Sequence, residues 1–287
     1  VPYAFVATKA ISHPTVEPGA AAPVGWSHEF GHRIRDAVLP GFTVFSAADA
    51  DVACRRLLAE GPVRVKPVRE KGGRGQTVVR DARELAPLVE AVDPQELATY
   101  GLVLEENLEK VETRSVGQVR VADLVISYFG TQRLTPDNHG NLAYGGTDLL
   151  AARGGFDSLL SLPLPDGAQE AVAQARIYDG AAMRSFPGMI VSRRNYDIAI
   201  GLVGNGRRRT GVLEQSWRMG GASGAELAVV EGFRADPSAR ALRAATIEVY
   251  GEGYSPPPGA TVYFNGIDDR TGPLLKYSML EPHDDDR

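Results

Sequence analysis

The sequence predicts an α+β protein, and three observations lead there. Short β-branched runs flank a glycine-rich turn between residues 63 and 79. Further runs at 116–128 and 196–213 look like antiparallel strand pairs. Segments with helical spacing of apolar residues stand between them.

Taken in order, Val1 to Val6 resembles a strand, and a Pro/Gly/Ala-rich passage to Pro23 reads as loop. Ser27 to Val38 places Phe30, Ile34 and Val38 on one helical face, and Leu39-Pro40-Gly41 stops it. Ser46 reads as the N-cap of a helix running to Leu58. Val63, Val65 and Val68 form one strand and Thr77 to Val79 a second, followed by a helix over Leu85, Leu88, Val89 and Val92. Leu102 to Leu108 is a strand ending in acids, and Gly130 to Asp148 reads as loops around short strands. Helices are expected over 168–184 and 226–233. Strands are expected at 189–191, 196–202 and 211–213, with Gly204-Asn205-Gly206 turning between the last two. A linker at 254–259, a last strand pair and the acidic tail Asp284-Asp285-Asp286-Arg287 complete the chain.

The 287 residues suffice for one large domain or two to three smaller ones, each with its own core. A net charge of -5 gives no electrostatic reason to expect nucleic acid, and Arg207-Arg208-Arg209 reads as a solvated hairpin tip. Cys54 is the one cysteine, which excludes a disulfide framework and a cysteine-rich metal site; its helical surroundings place it in the core. No apolar run spans a bilayer and no signal peptide is read at the start, so the expectation is a cytoplasmic protein without a membrane partner. Val1 is not an initiator methionine, and the start reads as processed or trimmed.

The chemistry gathers at three places. Between the strands at 63–68 and 77–79 stand three glycines and several cations. Glycine lets successive N–H groups converge on an anion, Lys66 adds a point charge, and Arg74 adds a planar fork, a combination suited to polyphosphate. A solvated hairpin looks the same, and no Gly-Lys-Ser/Thr follows, so this is not a P-loop. His28-Glu29-Phe30-Gly31-His32 matches H-E-x-x-H of zinc peptidases. A catalytic zinc needs a third protein ligand, however, and Arg35 and Val38 stand where the longer signature has Gly and His. Finally, Asp197 and Glu214 fall on neighbouring strands, where two carboxylates can hold magnesium against substrate phosphates, with Arg218 just beyond to stabilise a transferring phosphoryl group.

In this order the pieces resemble the ATP-grasp superfamily. Lys66 and the loop Lys71-Gly72-Gly73-Arg74-Gly75 are similar to a strand lysine and glycine-rich lid, most like biotin carboxylases. Val103-Leu104-Glu105-Glu106-Asn107-Leu108 resembles the V-x-E-E-x-L strand that receives adenine. The resemblance sets Glu105 towards the adenine amino group, Leu108 as a backbone contact and Glu112 at the ribose. Asp197, Glu214, Arg218, Gly220, Gly221 and Ser223 fit the metal module of carboxylate-amine ligases. Ser216 stands where a metal-binding asparagine is usual. The family's second lysine falls at Ser27; the resemblance implies either that the neighbouring His28 contacts phosphate in its place, with Arg33 and Arg35 as further candidates, or that activity is weakened.

The likeness covers about residues 25 to 235. It implies an ATP-grasp fold of two α+β subdomains clasping ATP, with most of the usual N-terminal domain absent. The boundaries read as 1–43 for a remnant of that domain, 44–104 for the lid subdomain, 105–240 for the catalytic subdomain and 241–287 for C-terminal strands and tail. The implied reaction is ATP- and magnesium-dependent activation of a carboxylate as an acyl phosphate, attacked by an amine or thiol. Manganese is an alternative metal, and Arg194 a candidate clamp for the substrate carboxylate. The partners are then a small-molecule carboxylate and a nucleophile, and a homodimer is compatible with the chain. An ATP-binding protein with lost or reduced catalysis and a zinc peptidase are the other two readings.

Overall fold

The structure is a computed structural model describing residues 1–70 and 75–281. Two 3₁₀ turns, Ala4–Ala7 and Lys9–Ser12, precede helix α1 (His28–Ile34) and strand β1 (Gly41–Val44). Then come α2 (Ala47–Leu58), β2 (Val63–Pro67), β3 (Thr77–Val79), α3 (Ala82–Glu90), α4 (Pro94–Tyr100) and β4 (Leu102–Glu106). Three long strands follow, β5 (Glu109–Val121), β6 (Leu124–Pro136) and β7 (Leu142–Arg153), and then α5 (Phe156–Leu160) and α6 (Ala168–Ser185). The remainder is β8 (Arg193–Leu202), β9 (Arg208–Ser216), α7 (Ser223–Ala235), β10 (Ala241–Tyr250), β11 (Thr261–Asp268) and β12 (Gly272–Glu281).

Local chemistry accounts for the helix starts. Ser27 and Ser46 each accept a backbone N–H three residues on, from Phe30 and Asp49, and Asp81 and Asp93 cap α3 and α4 in the same way. Pro94 at the first turn of α4 gives up no hydrogen bond, because that N–H has no intrahelical partner.

The chain divides into two compact units. The first comprises Val1–Thr113, Ala173–Val191 and Tyr196–Gln215. In it an antiparallel sheet of order β1-β4-β2-β3 lies against α2 and α3. Its core joins Ala50, Ala53, Cys54 and Leu57 of α2 and Leu85 of α3 to Val63, Val65, Leu102 and Leu104 of the strands. In the same unit β9 meets Val38 through a parallel bridge at Val212, and Leu39, Leu108, Ala199 and Val203 form a smaller cluster.

The second unit comprises Arg114–Val172, Ser192–Asn195 and the chain from Ser216. Its strands run in the order β11-β12-β10-β7-β6-β5, each antiparallel to its neighbours in that order. Helix α7 buries Ala225, Val229, Val230 and Phe233 against Val119, Ile126, Tyr128, Leu149 and Ala151. Gly146 sits at φ +138, where a Cβ would land on the carbonyl oxygen of Thr246 on β10, so the close approach of β7 to β10 depends on glycine there.

Several expectations need correction. The opening run forms 3₁₀ turns, not a strand, and Thr8 caps the second turn by accepting from Ala10 N–H. The first helix ends at Ile34, and Val38 pairs with β9 instead. Residues 130–148 are not loops around short strands, since β6 and β7 pair continuously from Ile126 opposite Arg153 to Pro136 opposite Leu142. No strand forms at 189–191, and 241–250, which the sequence pattern leaves unassigned, forms β10. Arg209 is no part of a solvated tip; it is a strand residue held by an acid. Among the described residues, no helix is long and apolar enough to cross a membrane.

Candidate functional site

In the first unit, β2 and β4 pair so that Arg64 faces Glu105 and Lys66 faces Val103. Directly opposed residues of an antiparallel pair share a face, which makes Lys66 and Glu105 diagonal neighbours on one side of the sheet. There they form an ion pair almost wholly out of water, with Lys66 3% and Glu105 1% exposed. His13, equally buried, brings Nε2 to 3.0 Å from Glu105 Oε2. An ionised carboxylate only accepts, so Nε2 carries a proton towards it; Nδ1 is buried with no hydrogen-bond partner among the described residues. Burial pushes the Glu105 pKa up, but the Lys66 charge and the His13 hydrogen bond outweigh it and hold the carboxyl at about 2.

The next acid is occupied too. Arg209 of β9 grips Glu106 with two donors, Nε at 2.8 Å from Oε2 and Nη2 at 3.3 Å from Oε1. The Leu108 side chain is core, packed with Leu39, Ala199 and Val203. Glu112 is exposed on β5. His28 is exposed at the start of α1, with Nδ1 3.5 Å from the Thr15 hydroxyl. Gly75 takes φ +67 next to the strand β3, while Lys71, Gly72, Gly73 and Arg74 lie outside the described residues.

Asp197 is half-buried on β8, and Glu214 stands on β9, the next strand in the sheet order. Glu214 Oε2 lies 3.0 Å from the ammonium of Lys9, which also donates to the Glu70 carbonyl at 2.8 Å. The segment carrying Lys9 is fastened by the neighbouring Gln215, whose amide donates to the carbonyls of Val6 and Thr8. Gln215 in turn accepts from the buried Tyr178 hydroxyl at 3.0 Å; burial drives that phenol's pKa well above its ordinary value.

In the second unit, Arg193 organises the turn that follows β9. Its Nη1 donates to the Ser216 hydroxyl at 3.1 Å and to the carbonyls of Ser216 and Arg218, while its Nε meets Glu226 Oε2 at 2.6 Å. Tyr128 donates to Glu226 Oε1 at 2.5 Å and lies 2.8 Å from the side-chain amide of Asn195. The buried guanidinium and carboxylate therefore satisfy each other, and the turn is fixed by its own carbonyls. Arg218 is exposed and donates to the Met219 carbonyl at 2.8 Å. Arg194 donates to Gln118, which itself donates to Ser127.

The structure thus brings Lys66 to Glu105, and it gives Glu214 a cation of the chain's own. It gathers no three His, Cys, Asp or Glu side chains at one point among the described residues, His28, Glu29 and His32 included. Lys9, His13, Arg193 and Arg209 are the participants that sequence reasoning missed. The one signal for the first two was polar residues interrupting an apolar run near the start, at Lys9, Ser12 and His13.

Comparison with known proteins adds a family. The one described as "Protein of unknown function (DUF3182)" matches residues 1–278. The chain belongs to this family. Curated proteins gave no match. Among solved structures, the biotin carboxylase domain of the Hydrogenobacter thermophilus 2-oxoglutarate carboxylase aligns with TM-score 0.55 and 14% identity, over 88% of this chain and 60% of that one. Campylobacter jejuni biotin carboxylase aligns with TM-score 0.50 and 12% identity, over 87% and 61%. Staphylococcus aureus N5-carboxyaminoimidazole synthetase gives TM-score 0.49 and 13% identity, over 87% and 65%. The chain therefore spans about three fifths to two thirds of the length of these structures. At such identities the likeness is one of fold, and the fold is that of ATP-grasp proteins, α+β with two sheets.

Proposed function

We propose that the protein is an ATP- and magnesium-dependent ligase of ATP-grasp type. It would transfer the γ-phosphoryl group of ATP to a carboxylate oxygen, releasing ADP. An amine or thiol would then attack the carbonyl carbon of the acyl phosphate and expel phosphate. The observation that carries this reading is the buried Lys66–Glu105 pair on adjacent strands of an ATP-grasp fold. A desolvated ammonium, already oriented, meets phosphate charge with little reorganisation. In support, the two biotin carboxylase structures are a complex with MgADP, ADP and bicarbonate and a beta-gamma-ATP complex.

Each residue then has a task. Lys66 is the cation for the phosphates, with Arg74 a second candidate on sequence grounds, and β4 with Leu108 presents backbone to the adenine. Asp197 and Glu214 are the acids for magnesium. One carboxylate already on a lysine and a serine already on an arginine make no preformed cation cage. They do suit an ion that arrives on phosphates, because magnesium takes most of its ligands from substrate and water and few from protein. Bound there, magnesium would neutralise charge on the phosphates during transfer. Arg218, exposed beside the glycine turn before α7, is the cation for the transferring group, and Arg194 the clamp for the carboxylate.

A second reading, nucleotide binding with reduced turnover, is favoured by the Ser216 hydroxyl being engaged by Arg193. The zinc-peptidase reading has no third ligand among the described residues. Titration calorimetry with ATP and magnesium tests the first step, and no binding at millimolar concentrations sinks both nucleotide readings. A screen for ADP or phosphate release with carboxylate and amine pairs then separates the ligase from the non-turning binder.

A further inference from the structure

Lys9 is 5% exposed, and its ammonium touches Glu214 Oε2 and the Glu70 carbonyl. A long, flexible side chain is rarely buried this deeply unless its charge is matched. Here the match is Glu214, the acid that the ligase reading assigns to the metal. The contact is also built, not incidental. Gln215, next in sequence to Glu214, holds the Val6 carbonyl within the turn that leads to Lys9 and the Thr8 carbonyl just after it. Thr43 fastens the other side by donating to the Ala10 carbonyl at 2.6 Å. The backbone is thus held on both sides of Lys9, and the ammonium itself is held by Glu214 and the Glu70 carbonyl.

We infer that Lys9 is a built-in counter-cation at Glu214 that sets the protein's metal dependence, an inference resting on the ligase reading for the identity of the metal-bearing ligand. A free divalent ion approaching Glu214 meets a fixed positive charge on the same carboxylate, and the two cations repel. An ion already carried by nucleotide phosphates brings anionic oxygens with it. An ammonium has three donors and the two protein acceptors take two, so a phosphate oxygen can take the third. Glu214 thus discriminates between bare metal and metal bound to nucleotide, and Lys9 is the residue that makes it do so. It is a positioning residue, since it acts through Glu214.

The test uses the full chain without nucleotide and reads free manganese by electron paramagnetic resonance. Lys9→Met removes the charge and keeps the apolar stem. It should bind manganese at least about tenfold more tightly than the wild type, because the competing cation is gone. Adding Glu214→Gln should abolish the gain, and Lys9→Arg, which keeps a cation, should resemble the wild type. If Lys9→Met unfolds, Lys9→Gln is read in its place. Equal manganese affinity in the neutral variants and the wild type overturns the inference, as does a gain that survives Glu214→Gln. Calorimetry with ATP and magnesium on the same proteins keeps the two ideas apart. If no variant binds nucleotide, the ligase reading fails, while the manganese comparison still decides the role of Lys9.

Discussion

Lys66, Glu105 and His13 form a buried electrostatic unit, and its energetics follow from burial. Removing one partner of a buried pair leaves an uncompensated charge, so Lys66→Met should destabilise the protein by about 3–5 kcal/mol, measured by urea unfolding. A loss below 1 kcal/mol would mean that water reaches Glu105. The same pair gives a pH signature. Glu105 is held at about 2, below its ordinary 4.5, so its stabilisation is fully present above 4.5 and drains away as pH falls towards 2. Melting temperature should therefore drop through that window in the wild type. In Lys66→Met, burial of the carboxyl is opposed by His13 alone, and the slope should flatten or reverse. An unchanged slope would show that Lys66 does not set the Glu105 equilibrium.

Among the elements, the hairpin of β6 and β7 shows how a strand escapes notice. Gly130, Pro136, Gly140, Gly145 and Gly146 mark the stretch as loop by local preference, yet each finds a use in the sheet or its turn. Gly146 accepts a positive φ against Thr246, and Gly130 lies where a Cβ would press on Leu149 and the Asp148 carbonyl. Cross-strand packing overrides propensity here, and packing cannot be seen in a window of sequence. Helices with a cap and an apolar stripe, such as α2 after Ser46, were legible because their signals are local. By the same argument Lys66 and Glu105 could be ordered along the chain, but Lys9 on Glu214 and Arg209 on Glu106 join residues more than a hundred positions apart. The element-level prediction is that Gly146→Ala costs about 1–3 kcal/mol in backbone strain alone, before any displacement of β10. Urea unfolding measures it, and a change within 0.5 kcal/mol, about the size of ordinary surface effects, would mean the strands part easily there.

At the scale of the molecule, the residues proposed to meet nucleotide in β2, β4 and β9 belong to one unit, whose core of Val63, Val65, Leu102 and Leu104 lies directly beneath two of those strands. Ligand that binds only the folded state adds stability by mass action, about 2.7 kcal/mol at a hundred times its dissociation constant. That stability is not spread evenly, because amide exchange reports the local opening that the ligand opposes. ATP with magnesium should therefore slow exchange most in β2, β4 and β9. It should leave β11 unchanged, the last strand of the other unit's sheet, whose Val262, Tyr263 and Ile267 are exposed. Exchange followed by mass spectrometry, with and without MgATP, makes the comparison peptide by peptide. Protection confined to β10, β11 and β12 would place the nucleotide elsewhere and remove Lys66 and Glu105 from its site. Protection in β2 and β4 but not in β9 would keep the adenine side of the proposal and strike out Glu214 as the metal-bearing acid. Only slowing in all three strands agrees with one ligand spanning from Glu105 to Glu214.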